Sequence, residues 1–167
     1  MLLNLLLRTK VIFINTDTIP HSQESSTAET IQNSTECKIV CQILANLLSH
    51  GASSKQIGIL SFYNSQLQII KSEIPEFCND LELLTIDKSQ GRDKECIIVS
   101  FVRSNTEGNG GNLLQDWRRI NVLLTRAKRK LVLVGSKSTL RNVPILDQLL
   151  SLLQDQSQIC ECIEGQG

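Results

Sequence analysis

The chain has 167 residues, 17 acidic and 17 basic side chains, and a formal net charge of zero. That length suits one domain, able to bury about 70% of its unfolded surface without disulfide or metal staples. Neutral bulk charge excludes a protein-wide electrostatic case for a polyanion partner, so any basic site has to be local.

Residues 1–10 open M-L-L-N-L-L-L-R. They have no basic region ahead of the apolar part and no small-residue cleavage site, so they do not read as a signal peptide. They are too short to span a bilayer and read as a truncated or irregular start. Val11 to Asn15 (V-I-F-I-N) reads as a first strand, and residues 16–35 as a polar surface loop. Asn33-Ser-Thr-Glu36 is a helix-start signal, a capping side chain followed three residues on by an acid. Ile39, Val40, Ile43, Leu44, Leu47 and Leu48 then recur at helical spacing, and Gly51 stops the helix. Ile57 to Phe62 reads as a second strand, with Tyr63-Asn-Ser-Gln66 at its carboxyl end. The next helix has Leu67, Ile70 and Ile74 on one face and ends at Pro75.

Leu83 to Ile86 reads as a third strand. Cys96 to Val102 is uncharged and rich in β-branched residues, as in a parallel strand buried on both faces. Between them, Asp87 to Glu95 is a polar loop holding Gln90, Gly91, Arg92 and Asp93 side by side. Ligands of open α/β sheets bind at the carboxyl ends of strands, and this loop follows the third strand. Thr106 to Asn112 reads as a flexible loop, Asp116 to Ala127 as a helix and Leu131 to Gly135 as a fifth strand. Leu146 to Leu153 is a last amphipathic helix, and 154–167 a tail without pattern. Strands alternating with helices argue for an α/β domain over 11–153, a mainly parallel sheet flanked by helices.

The chemistry is narrowed by what is absent. There is no G-x-x-x-x-G-K-[ST] loop, no H-E-x-x-H and no G-x-S-x-G, so a self-contained hydrolase is not expected. Cys37 and Cys41 share a helix face without a second metal-type pair, and Cys160-Glu-Cys162 is too sparse for zinc. The lack of a disulfide framework fits a reducing compartment.

Arg118 to Lys130 carries Arg118, Arg119, Arg126, Lys128, Arg129 and Lys130 with no acid among them. A solvated helix face explains such a cluster as well as a binding site does. Arg126 falls near the end of the helix before the fifth strand, where its planar guanidinium fork could reach a phosphate held by another domain. Such an arginine contributes about 10³–10⁵ in rate, or roughly 4–7 kcal/mol of barrier. Plainer readings stand beside these: Gly91 as a turn, Asp93 paired with Arg92 or Lys94, Trp117 as core. Asp116 and Asn121 read as ordering backbone, and Arg118 and Arg119 as pairing with acids or binding phosphate.

Three segments resemble motifs of the superfamily 1 helicases, in family order and spacing, over about residues 11–150. T-I-D-K-S-Q-G-R-D-K with C-I-I-V-S-F-V-R-S-N resembles motif V and the strand after it. D-W-R-R-I-N-V-L-L-T-R-A-K-R-K-L-V-L-V-G-S resembles motif VI, and I-G-I-L-S-F-Y-N-S-Q resembles motif IV. N-S-T-E with its helix resembles the segment before motif IV in superfamily 1B. The wording G-R-D-K, S-F-V-R-S-N and V-I-F-I-N-T-D is most similar to the eukaryotic replication-type helicase/nuclease group. The nonsense-mediated-decay RNA helicases come next. Departures are Phe62 for a usual proline, Ser89 for a common aromatic, Asp93 for a common glutamate and Leu123 for a common alanine.

The resemblance implies a RecA-like fold of the P-loop NTPase type, the second motor domain without its own P-loop. ATP with Mg2+ would lie between two such domains, held mainly by the first, which this chain lacks. Arg126 matches the catalytic motif VI arginine that contacts the γ-phosphate. Gln90, Gly91 and Asp93 match motif V residues near the nucleotide. Thr85 matches a motif V position at the nucleic-acid backbone, and Lys88 is placed with it. Tyr63 and Gln66 belong to motif IV without an assigned contact. The implied partners are single-stranded or flap DNA, the first RecA-like domain and single-strand-binding replication proteins, with no membrane. The implied setting is replication and repair in the nucleus, with the mitochondrion as a second compartment. The family's nuclease domain and its iron–sulfur cluster lie outside this chain, and no metal ligand is assigned within it. The chain reads as a carboxy-terminal fragment, a short isoform or an incomplete gene model, inactive as an ATPase alone. The readings left open beside this one are a non-catalytic nucleic-acid or partner-binding fragment and the same domain of an RNA helicase.

Overall fold

The structure is a computed structural model and describes residues 10–162; the expected irregular start at 1–9 lies outside the described residues. One six-stranded sheet organises the chain. Its strands are β1 (Val11–Asn15), β4 (Ile57–Ser61), β5 (Glu82–Thr85), β6 (Lys94–Ser100), β7 (Ala127–Gly135) and β8 (Ile159–Glu161). They lie in the order β5-β4-β6-β7-β1-β8, and every pairing is parallel. A two-residue antiparallel pair, β2 (Ser25–Ser26) with β3 (Ile31–Gln32), stands apart from it.

Alternation along the strands fills two cores, one on each face. Ile12, Ile14, Ile57, Ile59, Ile98, Val132 and Val134 pack with α1 (Ser34–Ser49) and α2 (Asn64–Glu73). Phe13, Leu60, Ile97, Val99, Leu131 and Leu133 face the other way. Those six meet α3 (Gly111–Leu114), α4 (Trp117–Leu124), α5 (Lys137–Leu140) and α6 (Pro144–Asp155). Each buried Ile, Val, Leu or Phe contributes roughly 1.5–3 kcal/mol relative to exposure. Two of the departures noted above are absorbed here. Phe62 is buried with its ring stacked 6.0 Å from Phe101, and Leu123 is fully buried on the inner face of α4.

The start of α1 follows its sequence signal, with one correction. Asn33 Oδ1 accepts the Glu36 N–H at 3.0 Å, as an N-cap does. Glu36 does not fold back to the cap. The Asn33 N–H is taken by Gln66 Oε1 at 2.8 Å instead, and Glu36 points inward, fully buried. The strand expected to run to Val102, β6, ends at Ser100, two residues early, because Val102 adopts φ +71°, a conformation unusual for a β-branched residue.

Other differences have local causes. β7 begins at Ala127, four residues before the apolar run, because Ala127 pairs with Lys94 across a register irregularity. The tail contributes β8, whose three residues are too few to show a period. Trp117 is 59% exposed rather than core, because it opens α4 while Ile120 and Leu123 supply its buried face. The loop expected over 106–112 gives way to α3 at Gly111.

Candidate functional site

The site forms where β5 runs out. Thr85 ends the strand half-buried, and the chain enters a 3-10 turn over Asp87–Ser89. Ser89 is buried, and its hydroxyl donates to Ile86 O at 2.6 Å. The serine in place of a common aromatic thus ties the turn to itself. Lys88 stands exposed, its ammonium without an ion-pair or hydrogen-bond partner among the described residues. Gln90 is exposed, and Gly91 follows at φ +78° with open space where a Cβ would sit. The glycine therefore serves the backbone conformation, not a steric close approach. Arg92 N–H closes the loop on Ser89 O at 2.8 Å, and Lys94 N–H donates to Arg126 O at 3.1 Å, entering β6 beside β7.

Arg126 is held against this loop. Its Nη1 lies 3.2 Å from Asp93 Oδ1, and the side chain is only 15% exposed. Nη1 also donates to Ser89 O at 3.4 Å, Nε to Val122 O at 3.3 Å and Nη2 to Thr125 Oγ1 at 3.3 Å. The outward reach expected of Arg126 is therefore not its geometry here. The guanidinium is folded back on its own helix end, beside the rim that carries Gln90 and Gly91. Asp93 pairs with Arg126, not with Arg92 or Lys94; those two pair with Glu82, and the Lys94 contact holds the Glu82 carboxyl below its ordinary range.

A second arginine ties motif V to motif VI. Arg119 takes Asp87 with Nε at 2.9 Å and Nη2 at 3.3 Å, and Asp116 with Nη1 at 3.2 Å. Asp87 first, then Asp116, pushes the Arg119 pKa up against a small opposing effect of burial. Asp116 also caps α4, accepting the Arg118 N–H at 2.9 Å. A shallow groove of about 280 Å³ is lined by Ile86, Asp87, Gln90, Arg118, Arg119 and their neighbours. The Arg118 guanidinium lies 5.5 Å over the Trp117 ring.

Behind this rim is a buried polar network that the motif reading did not assign. Glu36 Oε1 accepts from Ser100 Oγ at 2.8 Å and from the Val102 N–H at 2.9 Å. Gln66 Nε2 donates to Asn33 O at 2.9 Å and to Ser100 Oγ at 3.1 Å. Asn33 Nδ2 donates to Val102 O at 3.1 Å. Burial pushes the Glu36 pKa up to about 8, against the hydrogen bonds from Val102 and Ser100. Its Oε2 is buried without a hydrogen-bond partner. The acid is thus held neutral at the junction of α1, the motif IV glutamine and the end of β6. Nearby, Glu24 Oε2 accepts from Arg103 Nε at 3.0 Å and from Ser104 N–H at 2.7 Å, and Arg103 Nη1 donates to Tyr63 Oη at 3.3 Å. The signal for Glu36 was in the sequence, since Glu36, Val40, Ile43 and Leu47 share one helical face.

So the structure brings Gln90, Gly91, Asp93 and Arg126 along one rim, with Thr85 and Lys88 at the start of the same loop. Gln66 is a framework residue instead. Among the described residues, no group of three or more His, Cys, Asp or Glu side chains could hold a metal ion. Nor is any helix among them long and apolar enough to cross a membrane.

A family model described as an AAA domain matches residues 4–138. The DNA replication ATP-dependent helicase/nuclease of Arabidopsis thaliana is 46% identical over 157 residues, 93% of this chain and 12% of that protein. The helicase/nuclease of the same description in Saccharomyces cerevisiae is 41% identical over 151 residues, 90% of this chain and 10% of that protein. Its Homo sapiens counterpart is 41% identical over 151 residues, 90% of this chain and 14% of that protein. The chain thus spans 10–14% of the length of these relatives. With the all-parallel sheet and the joined motif V and VI segments, these matches show that the chain belongs to this AAA-domain family, as the C-terminal RecA-like region of a superfamily 1 helicase of the replication helicase/nuclease type.

Proposed function

We propose that this domain is the second motor half of an ATP-dependent DNA helicase/nuclease acting on single-stranded or flap DNA in replication and repair. Its setting is the nucleus, with the mitochondrion as a second compartment. A first RecA-like domain supplies the P-loop and most of the contacts to ATP and Mg2+, and single-strand-binding replication proteins share the strand. The observation that carries the reading is the shared rim: Arg126 is bonded to Ser89 O and Asp93, inside the loop that also holds Gln90 and Gly91. Those residues fit a nucleotide's terminal phosphate. A guanidinium that already meets a carboxylate oxygen through one nitrogen can exchange it for a phosphate oxygen. The half-exposed Asp93 is the partner to be displaced. Thr85 and Lys88 then face the strand backbone, and no step here runs through an iron–sulfur cluster.

In the intact motor, exchange of Asp93 for phosphate on closure would extend Arg126 across the cleft and stabilise charge on the transferring phosphoryl group. The test has two arms. The 167-residue chain with ATP, Mg2+ and single-stranded DNA should release no phosphate above background. In the intact helicase carrying this domain, Arg126→Ala should lower kcat by about 10³–10⁵ with the nucleotide affinity less affected. Robust turnover by the chain alone, or an intact Arg126→Ala enzyme within tenfold of the parent, overturns the assignment.

A further inference from the structure

Trp117 is unusual on this surface. It is the chain's single tryptophan, 59% exposed, at the start of α4, which runs out two residues before Arg126. An exposed indole of this size is uncommon without a partner, because Trp normally buries most of its ring. Its neighbours carry positive charge. Arg118 lies over the ring at 5.5 Å and also lines the groove beside Gln90 and Arg119. The Arg118 guanidinium has no carboxylate partner among the described residues, and neither has the Lys88 ammonium on the facing turn. Both acids of the groove, Asp87 and Asp116, are already held by Arg119. The local field is therefore cationic in a chain whose net charge is zero.

We infer that Trp117 and Arg118 form a base-stacking platform for single-stranded nucleic acid, beside the backbone contacts assigned to Thr85 and Lys88. The inference rests on the strand-binding reading above and adds a site to it. A flat aromatic face next to unpaired cations suits a flexible strand, whose bases stack without regard to sequence while its phosphates meet the cations. Arg118 covers one face of the indole by cation–π contact, and the exposed remainder takes a base. Arg119 offsets part of the charge of the two aspartates, and Arg118 and Lys88 supply the excess cation that meets the phosphates.

Because Trp117 is the only tryptophan, its emission reports this site alone. The chain is titrated with an end-labelled mixed-sequence single strand while tryptophan emission and label anisotropy are followed together. A strand of the same length made wholly of abasic sites serves as the base-free polyanion. The base-bearing strand should quench the emission saturably, with the same midpoint as the anisotropy change, and the abasic strand should quench it little. Trp117→Ala should weaken binding ~5–150-fold, the range for losing one stacked base. Trp117→Phe should recover most of that loss, and Arg118→Ala should lower the salt slope of log Kd by about one. Melting by circular dichroism confirms that each variant is folded. If anisotropy reports binding without quenching, if both strands quench alike, or if Trp117→Ala binds as tightly as the parent, the platform is overturned while the strand-binding reading stands. If the base-bearing strand changes neither signal, both fall.

Discussion

Arg126 Nη1 and Asp93 Oδ1 lie 3.2 Å apart, joining the end of α4 to the loop between β5 and β6. The aspartate is half-exposed, so the pair contributes at most about 1 kcal/mol to folding. Asp93→Asn should therefore leave the chain's urea midpoint nearly unchanged. In the intact motor, where the proposed exchange has to displace Asp93, it should alter ATP turnover. A stability loss above about 2 kcal/mol would mean that the contact is structural and not an exchangeable latch.

Gly91 offers a separate test of the same loop. A Cβ there would meet nothing within 4 Å, yet φ is +78°. Gly91→Ala should cost about 1–2 kcal/mol through the backbone alone, and Gly91→Asn less, since asparagine tolerates this region. Denaturant titration of both variants checks the order. Equal losses would point to an unseen steric demand.

Glu36 sets a pH dependence. Its folded pKa is pushed from the ordinary 4.5 to about 8 by burial. Between those values the native state holds a proton that the unfolded chain releases. Its stabilising contribution is complete below about 4.5 and is lost as pH rises through about 8. The slope attributable to this group reaches about 1.4 kcal/mol per pH unit inside the window. Glu36→Gln, neutral at every pH, should flatten the fall in unfolding free energy between pH 5 and pH 8. A parent chain whose stability is level or rising across that window would refute the buried neutral acid.

Arg119 gives a prediction that separates charge from folding. Arg119→Ala leaves Asp87 and Asp116 without their shared cation. Both acids are at least one-third exposed, so the loss of stability should stay near 1 kcal/mol. Affinity for a single strand should fall further, and the fall should shrink at high salt. Binding isotherms at two salt concentrations, beside a thermal melt, test the contrast.

The parallel sheet was legible because its central strands are short uncharged runs separated by helical periods. The meeting of Arg126 with the loop after β5 was legible only as an order of segments: Gln90, Gly91 and Asp93 are neighbours in sequence, and Arg126 reaches them from past α4 through Asp93 and Ser89 O. What escaped depends on contacts distant in sequence. Gln66 and Glu36 meet Ser100 from 34 and 64 residues away, and spacing along one chain does not display such a meeting. The orientation of Arg126 escaped for a related reason: its partners are two carbonyls, a hydroxyl and a carboxylate chosen by packing. Trp117 misled because helical periodicity assumes that every apolar position is covered, and the first residue of a helix need not be.

The outermost strand carries a practical consequence. β8 lies alongside β1, with Phe13 N–H bonded to Gln158 O at 2.9 Å and Cys162 N–H to Asn15 O at 3.1 Å. A chain cut after the last long helix would leave the backbone of Phe13 to Asn15 without these partners, beside apolar side chains that prefer not to meet water. Such a bare margin invites pairing with a second molecule. Preparations ending near residue 155 should therefore self-associate where the longer chain stays dispersed.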